Sequence, residues 1–448
     1  MYEDDEYVQL SDGDVADQLG PAYARDQWFW RHIAASMVVG VVLGLVAFLY
    51  TTAIEKCNSL IWGDDLYLNV KYCKGNLLWL GIMPAGGFIV GALRKLLAMP
   101  EKIDGFVQEA KHVHVDYTLA PKVLLVSFVS LCTGVSLGPE AAMGSLGGGL
   151  AQYWSKIREL DESRTRYHVV NAMAGSMGPL FPSPVVAIVC MLELAPMDMM
   201  HTNYMRSMFM MTVGATSSFA VFYGLKEHRF MDLNPITLTY HYDNSHILIA
   251  IVIGIVAGLF GIVHLMMAGV IERIFLRISK LIPNDTVRQI LLPTVGGFLV
   301  ACIGFALPLS LGSGSEQLAP LLKFTMTKQM DAATLLGLAF AKSTAFGISK
   351  ASGFIGGGIF PMIFSGTALG MMLFRFIDDS SVLPFFLACT CFMGAVPASV
   401  TPMPLTWLLL VSLTFEIGAT ASVPIFVAVV SANLTVIGFG LLLAIVKR

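Results

Sequence analysis

Ser136-Leu137-Gly138-Pro139-Glu140-Ala141-Ala142-Met143-Gly144 is the stretch on which the reading of this chain turns. One apolar segment runs into it from Pro121 and another leaves it. Gly138 and Pro139 end the incoming helix. A proline fits the first turn of a new helix, because its missing N–H would have had no partner there. Glu140 therefore falls at a helix start, among unpaired backbone N–H groups and the positive end of a helix dipole. Such a place attracts anions. A carboxylate fixed there competes with a diffusing anion for the same donors, which is the physics of a gate. In a soluble protein the same acid would only steady its own helix. At membrane depth an ionisable residue points to function.

Composition supplies the membrane. Of 448 residues, 56% are hydrophobic and 13% charged, and the mean hydropathy is +0.71. A soluble chain carries about 25% charged residues. Long continuous apolar runs, without period-two alternation, exclude a β-barrel. The fold class is an all-α polytopic membrane protein. Its 42 glycines and 20 prolines predict close helix packing with several breaks.

The net charge of −3 is uneven: residues 1–26 hold eight acids and one base. They read as an acidic, disordered cytoplasmic tail with no cleavable signal peptide. The rest, 27–448, carries about +4 and reads as a single transmembrane transport domain. A weakly basic body suits anions better than cations. Lys and Arg are denser at 94–122 than at 55–76, which puts the N-terminus and the 94–122 loop on the cytoplasmic side. Cys132, Cys190, Cys302, Cys389 and Cys391 lie in apolar runs and read as buried small hydrophobes. Cys57 and Cys73 flank a polar loop and could pair in an oxidising compartment.

Long apolar helices are expected at 28–54, 77–99, 203–223 and 246–280. Between them, segments at 121–137, 139–154, 168–181 and 184–196 fall short of the roughly 20 residues of a full span. Short segments bounded by Gly and Pro predict broken or re-entrant helices, tolerated where protein or a water-filled path satisfies the freed backbone. From about Val287 the pattern begins again. Leu292-Pro293-Thr294-Val295-Gly296-Gly297-Phe298 echoes Met83-Pro84-Ala85-Gly86-Gly87-Phe88. Gly357-Gly358-Ile359-Phe360-Pro361 echoes the Glu140 segment, and Pro397 to Pro404 echoes Pro179 to Pro184. The offsets of 209 to 222 residues predict two related halves, about 27–245 and 246–448. Matching broken segments in two halves mark a transporter's binding site. Whether the halves are inverted stays open at this point.

These residues resemble the CLC family of chloride channels and chloride/proton exchangers. Gly138-Pro139-Glu140-Ala141-Ala142 looks like the family's G-x-E-x-P signature with Ala142 in place of the final proline. Gly357-Gly358-Ile359-Phe360-Pro361 looks like its G-x-F-x-P signature with Ile359 in the phenylalanine position. Phe181 to Glu193 and Leu311 to Glu316 also resemble family segments. The likeness covers about residues 30–430. It implies a CLC-like homodimer with one pathway per subunit for chloride or a related small anion, and with Glu140 as its gate. The anion site would be formed by Gly138, Pro139, Glu140, Ala141 and Ala142 and by Gly357, Gly358, Ile359, Phe360 and Pro361, with the backbone N–H groups around Glu140 to Ala142 and Ile359 to Phe360 as its donors.

Three departures matter. Asp104, Gly105 and Phe106 stand where a serine-bearing pathway signature is expected, and Asp104 would repel an anion. The family's C-terminal tyrosine ligand has no counterpart, since no Tyr follows Tyr242. Leu194 occupies the position of the internal proton glutamate of exchangers, leaving Glu193, His201 or water as possible proton routes. Gated, uncoupled anion conduction is therefore the leading expectation, and anion/proton exchange by a non-standard route is the alternative. The regulatory domains that follow the membrane block in eukaryotic members are not expected. Met191, Met197, Met199, Met200, Met205, Met208, Met210 and Met211 around His201 raise a remote third reading, Cu(I) transport. No enzyme motif, resident metal, cofactor or nucleic-acid site is predicted.

Overall fold

The computed structural model describes residues 27–62, 77–196, 204–227, 230 and 240–446. The acidic tail, Cys73, His201, Met197, Met199 and Met200 lie outside the described residues. Sixteen α-helices follow in order: α1 (Gln27–Trp62), α2 (Trp79–Leu96), α3 (Phe106–His112), α4 (Ala120–Cys132), α5 (Glu140–Ile157), α6 (Glu162–Met177), α7 (Pro184–Leu194), α8 (Tyr204–Lys226), α9 (Ser245–Leu281), α10 (Asp285–Ala306), α11 (Leu318–Met326), α12 (Ala332–Ser352), α13 (Ile359–Ile377), α14 (Phe385–Val400), α15 (Pro404–Thr414) and α16 (Ala419–Val446). Among the described residues there is no strand, only one antiparallel backbone bridge between Gly138 and Gly357.

Seven of the described helices are long and apolar enough to cross a membrane: α1, α8, α9, α10, α12, α13 and α16. The chain is a multi-pass membrane protein. Four shorter apolar helices among the described residues, α4, α7, α14 and α15, fall below the length of a span.

The two halves are inverted with respect to each other. Helices α2 and α10 pack through the echoed Pro-x-Gly-Gly segments. Gly91 lies against Gln289, Gly87 against the Pro293 carbonyl, and Met83 against Gly297. Numbers fall on one helix as they rise on the other, so the helices run antiparallel. The contact is also reciprocal: each half offers its glycine to the other's backbone carbonyl. Only glycine allows this approach, since a Cβ at Gly87 or Gly297 would overlap the facing carbonyl. Each half repeats one further pairing. Gly40 and Gly44 of α1 seat on Gly214 and Ser218 of α8, and Gly254 and Gly258 of α9 seat on Ala428 and Ala432 of α16.

Several boundaries and one burial differ from expectation. Helix α4 ends at Cys132 and not at 137, because the chain turns at Gly134 with φ +75°, and α6 begins at Glu162, six residues before the apolar segment, because Asp161 caps it. Helix α1 runs to Trp62, eight residues past the apolar segment, because Glu55 pairs with Lys226 at the end of α8 and the Trp62 indole N–H donates to the Cys132 carbonyl at 3.0 Å. Cys302 is exposed on α10 and not buried, because it lies on the outer side of a helix whose buried glycines face α2, Ser352 and Leu311. Cys132, Cys190, Cys389 and Cys391 are buried as expected.

Candidate functional site

Some helix starts are capped by a side chain of their own, and others are not. Asp161, Asn284 and Asp331 each cap their own helix, accepting from the N–H three residues on. At Asp331 the Thr334 hydroxyl and N–H hold the carboxyl below the ordinary aspartate range. Helices α5 and α13 have no side-chain cap of their own. Their starts face each other across the bridge, in which the Gly138 N–H donates to the Gly357 carbonyl at 2.9 Å and the Gly357 N–H to the Gly138 carbonyl at 2.8 Å.

Glu140, the first residue of α5, reaches across to α13. Its Oε1 accepts from the Ile359 N–H at 2.6 Å, and the Phe360 N–H faces the same carboxylate. The side chain is 1% exposed. Its Oε2 has no hydrogen-bond partner among the described residues. The cradle is made by absence of side chains: a Cβ on Gly138 would overlap Oε2, and one on Gly357 would overlap Oε1 and Cδ. The two glycines of the paired motifs are thus the space the carboxylate fills.

This refines the set of donors expected from the sequence. The Gly138 and Gly357 N–H groups are spent on each other's carbonyls, so these residues shape the site and do not donate into it. Pro139 and Pro361 have no N–H. The orphan donors of the first turns are those of Glu140, Ala141 and Ala142 on α5 and of Ile359 and Phe360 on α13. Gly358 packs against the Phe346 ring. Asp104 is exposed, and Gly105 begins α3. Phe106 is buried with its ring against Gly144, one turn beyond Glu140. Asp104 thus stands apart from the buried carboxylate, while Phe106 packs on the helix that bears it.

Glu193 makes a second crossing of the same kind. Its Oε1 accepts from the Leu405 N–H at 2.8 Å, and its Oε2 accepts from the Thr406 N–H at 2.8 Å and hydroxyl at 2.6 Å. Glu193 of α7 therefore caps α15, the matching helix of the other half, and Leu194 beside it is buried. Of the methionines, Met191, Met210 and Met211 pack in the hydrophobic core, and the Met210 sulfur accepts from Asn171.

On the side of Pro139 a small cavity approaches the site. Glu55, Lys226's partner, lines it with Glu316, Phe230 and Pro139. Phe230 stacks edge-on to Phe360, ring centroids 5.3 Å apart. Behind the Leu311–Glu316 loop is Lys342, fully buried, whose Nζ donates to the carbonyls of Leu311 at 2.9 Å and Gly312 at 2.6 Å. Sequence reading missed Lys342, although a lysine inside the apolar run of α12 was a visible signal. It also missed Glu109 of α3, which is 7% exposed and accepts from the Ser145 hydroxyl at 2.6 Å. Its loop looked polar throughout, and nothing local distinguishes the inward-facing acid from its exposed neighbours.

Two inverted halves whose helices α5 and α13 meet start to start have the architecture of an ion-transport protein. The family model for the voltage gated chloride channel matches residues 86–436, and the chain belongs to that family. It is 24% identical over 363 residues to the putative ion-transport protein YfeO of Salmonella choleraesuis (strain SC-B67), over 80% of this chain and 82% of the relative. The Salmonella typhimurium YfeO matches equally, at 24% over the same shares. Among solved structures, a slow cyanobacterial Cl⁻/H⁺ antiporter aligns with a TM-score of 0.76 at 17% identity, covering 92% of this chain and 95% of that one. A CLC-type fluoride/proton antiporter aligns with a TM-score of 0.68 at 19% identity, over 90% and 94%. At these identities the likeness is one of fold.

Proposed function

We propose that this protein carries chloride or a related small anion across the membrane, with Glu140 as its gate and one pathway in each subunit of a homodimer. The observation that carries the reading is the 2.6 Å bond from the Ile359 N–H to Glu140 Oε1. A carboxylate from one half occupies the helix start of the other, where a dehydrated anion would be held. Ionised, Glu140 competes with the anion for these donors. Protonated, it loses the charge that holds it there and swings aside. Acid therefore favours conduction. The orphan donors at Ala141, Ala142 and Phe360 serve the anion once the carboxylate has left, and backbone donors tolerate Ile359 in place of an aromatic residue.

Gated conduction without obligatory proton movement is the leading form, supported by Leu194 and by the commitment of both Glu193 oxygens to α15. Anion/proton exchange is the second form, supported by the two structural neighbours, a Cl⁻/H⁺ antiporter and a fluoride/proton antiporter. Reversal potentials of the purified protein in liposomes, under opposed chloride and proton gradients, separate them. The first form predicts a potential that follows chloride alone. A potential that shifts with the proton gradient selects exchange, and absence of any anion flux overturns both.

A further inference from the structure

Glu140 is buried, so a proton that neutralises it has to be delivered through protein. The cavity lined by Pro139 supplies one approach, from the side of Glu55 and Glu316. On the other side, toward the 100–120 loop, Asp104 is exposed and both Glu193 oxygens are bound to α15. Resting on the reading of Glu140 as gate, we infer that Glu109 is the proton carrier that loads and unloads Glu140 from the loop side.

Four observations converge. Glu109 is 7% exposed, and its Oε2 has no hydrogen-bond partner among the described residues. A buried carboxyl with one free oxygen is costly to keep as an anion and has room for a proton. Its Oε1 takes the Ser145 hydroxyl at 2.6 Å, and Ser145 is itself 1% exposed. Ser145 lies five residues after Glu140 on the same helix, about 7.5 Å along the axis at 1.5 Å per residue. The two acids are thus held at fixed depths by one rigid element. Finally, Phe106 of α3 seats on Gly144, which locks the short helix bearing Glu109 onto α5.

The charged and titratable groups on the packed elements leave this role to Glu109. On α3 and its approach, Asp104, Lys111 and His112 are exposed. On α5, besides Glu140, Lys156 is at the far end and bonds the Tyr117 hydroxyl. On α7, Cys190 is buried beside Met403, and Glu193 is spent on α15. In the transfer, a proton from bulk water on the loop side joins the Glu109 carboxylate. It then passes through intervening water to Glu140 Oε2, with the Ser145 hydroxyl holding the Glu109 carboxyl in place, leaving Glu109 ionised again. No electron moves and the path runs equally in reverse.

The test is anion current through the full chain in excised membrane patches, with pH changed on one face at a time. Wild type is expected to respond to acid on both faces. Glu109→Gln keeps an acceptor for Ser145 but cannot titrate. Its activation by acid on the loop face is expected to slow at least about tenfold, with the response on the opposite face unchanged. Ser145→Ala removes a donor that favours the ionised form, so the loop-face midpoint should move to higher pH by roughly half a unit. This second variant leaves Glu109 in place should the glutamine protein fold poorly. A Glu109→Gln channel with wild-type response on both faces, a wild type that senses only the opposite face, or an unmoved Ser145→Ala midpoint each overturns the inference. Failure of the gate itself reads differently: Glu140→Gln would then still respond to pH.

Discussion

The helix starts at Glu140 and at Ile359 are built alike and loaded differently. Each follows a glycine of the Gly138–Gly357 bridge, lacks a side-chain cap of its own, and lies buried between the halves. The first carries a carboxylate and the second carries isoleucine. The asymmetry has a physical purpose. An acid at both starts would set two like charges in one dry cleft, each raising the cost of the other. An acid at neither would leave orphan N–H groups with nothing to satisfy them when no anion is present. In the proposed gate, one acid reaching across is an internal occupant that a proton dismisses. Glu193 and α15 repeat the crossing with a different outcome: both oxygens are bound by three donors, and nothing is left over to move. The two crossings separate a labile cap from a permanent one.

That contrast can be broken, most strongly at its centre. Glu140→Gln should lift anion flux at neutral pH to the level the native chain reaches only in acid, the largest change expected, and should flatten the pH profile. Flux assays in liposomes between pH 4 and 8 check both. Gly357→Ala should come next. Its Cβ overlaps the Glu140 carboxylate, so the acid is forced out and the same assay should show several-fold higher flux at neutral pH with a shallower acid response. Glu193→Ala should act on stability instead. It strips α15 of its cap and should cost about 1–2 kcal/mol, read from unfolding in detergent, with the pH profile of flux unmoved. Asp331→Ala removes the cap at the start of α12 and should cost about 1 kcal/mol, with no change in transport.

Much of this arrangement is written locally. The prolines at 84 and 293 and the starts of α5 and α7 follow from Gly and Pro within a few residues, and both helices start within one position of expectation, whereas α4 ends at Cys132 and not at the Gly138-Pro139 break. The echo of Pro84 by Pro293 also has a structural meaning beyond repetition, since the two segments pack on each other. What a local reading cannot supply is contact between distant residues. The bond from Ile359 to Glu140 spans 219 residues, and the Glu193 cap on Leu405 spans 212. Whether a glycine N–H is free or already spent, as at Gly138, depends on a partner in the other half. The outward turn of Cys302 and the inward turn of Glu109 are likewise settled by the helix each residue meets, not by the residues beside it.

The most direct test of the account is a structure of the Glu140→Gln protein grown with bromide, read by anomalous scattering. The account predicts a bromide at the start of α13, within hydrogen-bond reach of the Ile359 and Phe360 N–H groups, in the place the carboxylate holds in the native chain. Bromide bound elsewhere in the molecule, with those N–H groups bare or still taken by the glutamine side chain, would contradict it.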